Sequence, residues 1–171
     1  MTENTATSQN AVSGAPNTVF LVNKTGGVIA GAVIHSVGFV ITPFLPEPTL
    51  EARFLGDGES ASGETIVSHN SLDYWLVPIA INAGNDFFIL PSNTGFRPYK
   101  ECSAANDGKT YIEIEASRDG GRTYPVTIRA LNPNGSNHTT CHGALEPLAK
   151  YLQDNNEFTL SILHLLEALI G

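Results

Sequence analysis

Charge is scarce in this chain: 15% of its 171 residues are charged, and Lys and Arg together number 9 against 17 Asp and Glu. The resulting net charge of −8 works against sequence-independent nucleic-acid binding, where neutralised phosphates supply most of the affinity. The basic residues are also scattered, so no local phosphate-binding stripe forms and nucleic acid is excluded as a partner. Cysteine is equally sparse. Only Cys102 and Cys141 are present, and a chain of this length can bury a core without disulfide or metal staples. Residues 1–17 hold one charge, Glu3, with no Lys, no Arg and no apolar core. They read as a disordered, Thr/Ser/Asn/Ala-rich arm rather than a signal or transit peptide. The expected address is therefore cytoplasmic, with leaderless export left open. There the thiols stay reduced and the sequons at Asn23, Asn134 and Asn137 carry no glycan.

What is plentiful is apolar: hydrophobic residues make up 42% of the chain, and 16 Gly and 10 Pro punctuate it. That composition favours strands over helices. Thr18 to Lys24 reads as a strand, and Thr25-Gly26-Gly27 as a tight turn. Val28 to Phe39 is apolar on both alternating faces. Its β-branched residues and glycines favour a buried strand over a membrane span, which would need about 20 residues. Leu50 to Leu55 is a further strand, and Gly56 to Gly63 a flexible turn lacking the Lys of a phosphate-binding loop. Leu72 to Asn82 is again apolar on both faces, as befits a strand between two layers. Pro78 predicts a bulge or an edge there. Asp86 to Pro91 adds a short strand.

The clearest alternation lies in Lys109 to Ala116 and Thr123 to Ala130, a hairpin across Asp119-Gly120-Gly121. Further on, Leu145, Leu148, Ala149 and Leu152 fall at helical spacing, and Asn156 can cap a second helix. That second helix gathers Phe158, Ile162, Leu165, Leu166 and Leu169 on one broad apolar face, which must dock on the sheet, a partner or a membrane. The expectation is a mainly-β fold, an antiparallel β-sandwich with a short C-terminal helical segment. Its divisions are an arm over 1–17, a sandwich over 18–142 and a helical segment over 143–171.

The string Val22-Asn23-Lys24-Thr25-Gly26-Gly27, followed by Ile34-His35, resembles the opening of a domain family of fungi and nematodes. The family is named for up-regulation in long-lived insulin-receptor mutant worms. Asp73-Tyr74-Trp75 matches its central Asp-aromatic-Trp segment. Cys102 leading to Asp107-Gly108-Lys109-Thr110 and a strand is similar to a later one. The family's basic-aromatic pair after the His is absent, Ser36-Val37 standing in its place. The resemblance spans roughly Thr18 to Ala130 and implies a stress- or longevity-associated domain without an established activity. The element order is also similar, at the level of fold, to actinoporin- and aegerolysin-type β-sandwich cytolysins.

Three functional readings follow. The leading one is a non-enzymatic binding or interaction protein, contacting a protein partner or a second copy through Phe158, Ile162, Leu165, Leu166 and Leu169 or through the aromatic strand. The second is a lipid-interacting module. If Tyr74 and Trp75 flank an edge they form a platform for headgroups or sugars, although inward packing of Trp75 with Val77 and Ile79 is preferred. Against that reading the helices are acidic, with only Lys150 to attract anionic lipid. The third is a metal-dependent enzyme, in which Cys102, His138, Cys141 and His142 supply a Cys2His2 set. Their spacing matches no usual paired-ligand pattern, and a polar loop with a half-buried thiol is the plainer account. No cofactor is expected. His35 reads as a hydrogen-bonded core histidine, and Glu113 and Glu115 as cross-strand partners of Arg129 rather than an acid/base pair.

Overall fold

The computed structural model describes residues 14–37, 47–68, 72–83, 86–89, 99–101, 108–117, 124–135, 137–147, 149 and 157–170. Five strands build a first sheet: β1 (Gly14–Lys24), β4 (Ser60–Ser68), β9 (Lys109–Ala116), β10 (Tyr124–Leu131) and β11 (Asn137–Pro147), in the order β4-β1-β9-β10-β11. The second comprises β2 (Ile29–Val37), β3 (Leu50–Leu55), β5 (Leu72–Leu76), β6 (Ile79–Ala83), β7 (Asp86–Ile89) and β8 (Tyr99–Glu101). The two are continuous at one corner, where Glu146 and Pro147 of β11 pair with Ile89 and Phe88 of β7. All pairings are antiparallel except β1 with β9.

The alternation of each strand decides what fills the space between the sheets. Val19 and Leu21 of β1, Ile112 and Ile114 of β9, and Val126, Ile128 and Ala130 of β10 meet Ile29, Val33, Leu50, Trp75, Val77, Ile79 and Ile81 from the second sheet in one core. Wetter residues take the other face of the first sheet. There Glu115 pairs with Arg129 at 2.8 Å, as expected, whereas Glu113 pairs not with Arg129 but with Lys24 of β1 at 3.0 Å.

Strands β2, β5 and β6 are apolar on both faces because the second sheet is a middle layer. Its outer face presents Ala30, Ala32, Ile34, Leu76 and Ala80 to the helix α1 (Glu157–Ile170). Ile162, Leu163, Leu166 and Leu169 are buried against it, each contributing about 1.5–3 kcal/mol by leaving water.

Four sequence expectations are corrected. First, β1 begins at Gly14, so residues 14–17 are strand, paired with Ser68 to Thr65 of β4. Second, β4 begins at Ser60, inside the Gly56 to Gly63 stretch expected to be a flexible turn. Of its inward positions Ala61, Gly63, Thr65 and Val67, the first three are too small or polar to announce a strand. Gly63 is required there, since a Cβ would meet the Thr49 carbonyl oxygen and lie 2.9 Å from Leu50 Cβ. Third, Leu145 belongs to β11, pairing with Tyr124 and sealed in the core. The helical segment therefore does not begin at 143. Leu148 and Leu152 lie outside the described residues, and Ala149 is helical and exposed. Fourth, Pro78 marks neither a bulge nor an edge. β5 and β6 pair with β2 in one uninterrupted register, from Val37↔Asp73 to Ile29↔Ile81. Ala32 N donates to Pro78 O at 3.1 Å, and only the return bond is lost, for want of a proline N–H.

The second helix stands where the sequence places it, starting at Glu157; its expected cap, Asn156, lies outside the described residues. No helix among the described residues is long and apolar enough to cross a membrane. The apolar run considered as a span is β2 where it is described.

Candidate functional site

Asn23, fully buried at the end of β1, is the hub of a hydrogen-bond cluster. Its Nδ2 donates to the carbonyls of Gly27 (2.7 Å) and Leu55 (2.9 Å), while Oδ1 accepts from the Thr25 amide (2.9 Å) and hydroxyl (2.7 Å). Its backbone is used as fully: Asn23 N donates to Glu59 O at 3.0 Å, and Gly58 N to Asn23 O at 2.7 Å. The clasp joins the β1–β2 turn, with Gly26 at φ 81°, to the β3–β4 turn. Asp57 Oδ1 reinforces it by accepting from Gly26 N at 2.9 Å, and Glu59 Oε2 by accepting from Gly56 N at 2.6 Å. The Asn-x-Thr-Gly string is thus a structural clasp. With every polar atom of its amide committed, Asn23 has nothing left for a ligand.

Beside the clasp, β3 carries a bulge. Ile29 pairs with Leu55 but Gly31 with Ala52, so Arg53 and Phe54 together oppose Ala30. Phe54 takes up the extra length at φ 50°, a left-handed conformation that a residue with a bulky side chain adopts at a cost of about 1–2 kcal/mol. Its side chain is 67% exposed, and nearby Val28 is 45% exposed. Strain and an unburied aromatic ring coincide at one residue, a combination that stability alone does not favour. Exposed Asp57 and Glu59 follow this end of β3, exposed Arg53 adjoins Phe54, and exposed Glu51 stands near the strand's start.

The residues singled out in the sequence fall differently. Trp75 is fully buried in the core, which removes it from any lipid- or glycan-facing platform; Tyr74 is half-buried. The Trp75 ring lies against His35, with centroids 4.6 Å apart and planes tilted 32°. His35 Nδ1 meets Thr65 Oγ1 at 3.2 Å, so this histidine is a hydrogen-bonded part of the interior, half-buried at one end of the sandwich.

Ile162, Leu166 and Leu169 are buried under the chain's own helix, and Leu165 is half-buried against the same clusters. The face expected to meet a partner is spent on the sheet. Phe158 has its backbone in the helix, with its side chain outside the described residues.

Cys141 and His142 sit on β11, not in a loop, and strand alternation sends them apart. Cys141 packs toward the main core, whereas His142 is exposed and meets Thr127 Oγ1 at 3.2 Å through Nδ1. Cys102 and the His138 side chain lie outside the described residues. Among the described residues no group of three or more His, Cys, Asp or Glu converges as a metal site.

Sequence reasoning missed Phe54. No composition signal marks it, because the bulge that turns it outward depends on the pairing of β2 with β3. It also missed the stack of Phe20 on Tyr111 across β1 and β9, at 4.8 Å and 10°. No family model matches the chain, and no curated protein matches it.

Proposed function

We propose that this chain is a non-enzymatic protein-interaction module, in keeping with the stress-associated family it resembles, and that Phe54 is its anchor. The observation that supports this reading is the strained, two-thirds-exposed ring of Phe54, displayed by a bulge next to a rigid clasp. A pre-organised aromatic side chain loses little entropy on docking and is the usual centre of an interface hot spot. Asp57 and Glu59 follow the bulge and Arg53 adjoins Phe54, so the partner fitted is an apolar pocket with a rim of both charge signs. The same carboxylates, with the net charge of −8, oppose approach to an anionic bilayer. The contact thus moves from the helix face and the aromatic strand to the β3 bulge.

The test places a photoreactive benzoyl-phenylalanine at position 54 of the full chain in host-cell extract, with the same group at exposed Ser62 as control. One adduct of defined mass is expected at position 54 only. Excess wild-type chain should suppress it at least tenfold. Phe54→Gly protein, which keeps the fold because Gly tolerates the left-handed backbone, should not. Equal suppression by both competitors overturns the reading. So does co-sedimentation with phosphatidylserine vesicles that Phe54→Gly abolishes, which would transfer the anchor to a lipid surface.

A further inference from the structure

A terminal strand leaves a row of backbone amides and carbonyls without a ladder partner. β4 is the terminal strand of the first sheet, and among the described residues it pairs with β1 alone. Asn23 N donates to Glu59 O on the β4 side of β1, whereas Thr18 N donates to Gly108 O on the β9 side. Odd-numbered residues of β1 therefore bond toward β4, and through the antiparallel register the odd-numbered residues of β4 bond back. The amides and carbonyls of Ser60, Ser62, Glu64 and Ile66 point the other way, to the open flank. Those four side chains are exposed, and even inward-pointing Ala61, Gly63 and Thr65 are half-exposed along this flank.

Proteins guard such edges with proline, lysine, a bulge or a covering element. The far end of the first sheet meets β7 at the corner with β11, and β3 carries the Phe54 bulge. β4 shows none of these devices. Its nine residues contain no Pro, Lys or Arg, and Ser60 to Ser68 keep unbroken register with β1. Glu64 is the one charge it carries, and Ile66 is 57% exposed.

We infer that the β4 edge pairs with the β4 edge of a second copy, antiparallel about a twofold axis at Gly63 and independent of the Phe54 surface. The strand is self-complementary about that point. Ser60 falls opposite Ile66, Ala61 opposite Thr65 and Ser62 opposite Glu64, so edge-directed backbone groups meet edge-directed ones and complete the ladder. The Glu64 carboxylate, which accepts from Thr18 Oγ1 at 2.9 Å, then faces a serine hydroxyl. An axis at Glu64 would instead set carboxylate against carboxylate. Gly63 removes side-chain bulk at the axis, where non-bonded pairs bring the two strands closest. A basic foreign strand would find one counter-charge here at most. The contact is small, with a dissociation constant expected on the order of 10–100 µM. At the dilution of a probe in cell extract the chain is therefore single.

Each copy carries a net charge of −8, so added salt should strengthen self-pairing, the reverse of its effect on a basic peptide. Light-scattering mass of the full chain should rise from one copy toward two between micromolar and submillimolar concentration, and further as NaCl reaches about 0.5 M. Ser62→Pro removes an edge-directed N–H without touching the β1 ladder and should hold the chain single. Ser62→Lys, placed opposite Glu64 of the second copy, should tighten association about fivefold, and Ser62→Glu should weaken it as much. That pair decides the matter if the proline variant fails to fold. Phe54→Gly should leave association unchanged. A single copy at every concentration and salt overturns the inference. So does equal association of Ser62→Lys and Ser62→Glu, association that Ser62→Pro leaves intact, or association that Phe54→Gly abolishes.

Discussion

Asn23 spends four side-chain hydrogen bonds in a site closed to solvent. Asn23→Ala leaves the Leu55 and Gly27 carbonyls without that donor, and the expected loss is about 3 kcal/mol. The check is a lower urea midpoint at unchanged slope. Thr25→Val, which removes a hydroxyl that donates to Asn23 Oδ1 at 2.7 Å and accepts from Gly27 N at 3.3 Å, should cost about 2 kcal/mol by the same measurement. The turn itself was legible in the sequence, because Thr25-Gly26-Gly27 allows little else. The reach of Asn23 to Leu55, 32 residues away, was not, since nothing local encodes which carbonyl a buried amide will find. Asn17 illustrates the same limit. It shares alternating positions with Val19, Leu21 and Asn23, but two apolar residues with a polar one at either end do not distinguish a buried face from the close of a flexible arm.

At the scale of elements, α1 is joined to the sandwich by side chains rather than by backbone pairing. Leu166→Ala opens a cavity against Ile34, Leu76 and Ala80, with an expected cost of about 3 kcal/mol. Thermal unfolding checks this, and the mutant's α1 amides should exchange hydrogen faster than those of β9 and β10. The helix was legible because its 3.6-residue rhythm is strong and uninterrupted. So was the β9–β10 hairpin, whose Ile112, Ile114, Val126 and Ile128 keep strict alternation. β11 was misread because Leu145 happens to stand three residues before Leu148 and four before Ala149. Its pairing with Tyr124 across the ladder outweighs that coincidence. β4 went unseen because close approach to Thr49 and Leu50 demands a glycine where a strand would ordinarily advertise a larger side chain.

The described residues form a sheet, a second sheet and a helix in three layers, and the middle layer explains why β2, β5 and β6 are apolar on both faces. The topology is strongly non-local: β1 lies between β4 and β9, and its parallel match sets Thr18 against Lys109. Such closure must precede most of the stabilising contacts, so refolding is expected over milliseconds to seconds rather than microseconds. Stopped-flow emission from Trp75, sealed between the sheets, reads this directly. A microsecond phase carrying the full amplitude would contradict the pairing.

The clasp at Asn23 also bears on where such a chain can be made. Asn23-Lys24-Thr25 is an acceptor sequence for N-linked sugar, yet its amide nitrogen is consumed inside the protein. A glycan attached to the nascent chain would occupy the nitrogen that ties the two turns together, and its bulk has no room in a fully enclosed position. Biosynthesis in a glycosylating compartment would therefore set folding in a race against the transferase, with the loser determining whether this architecture exists at all.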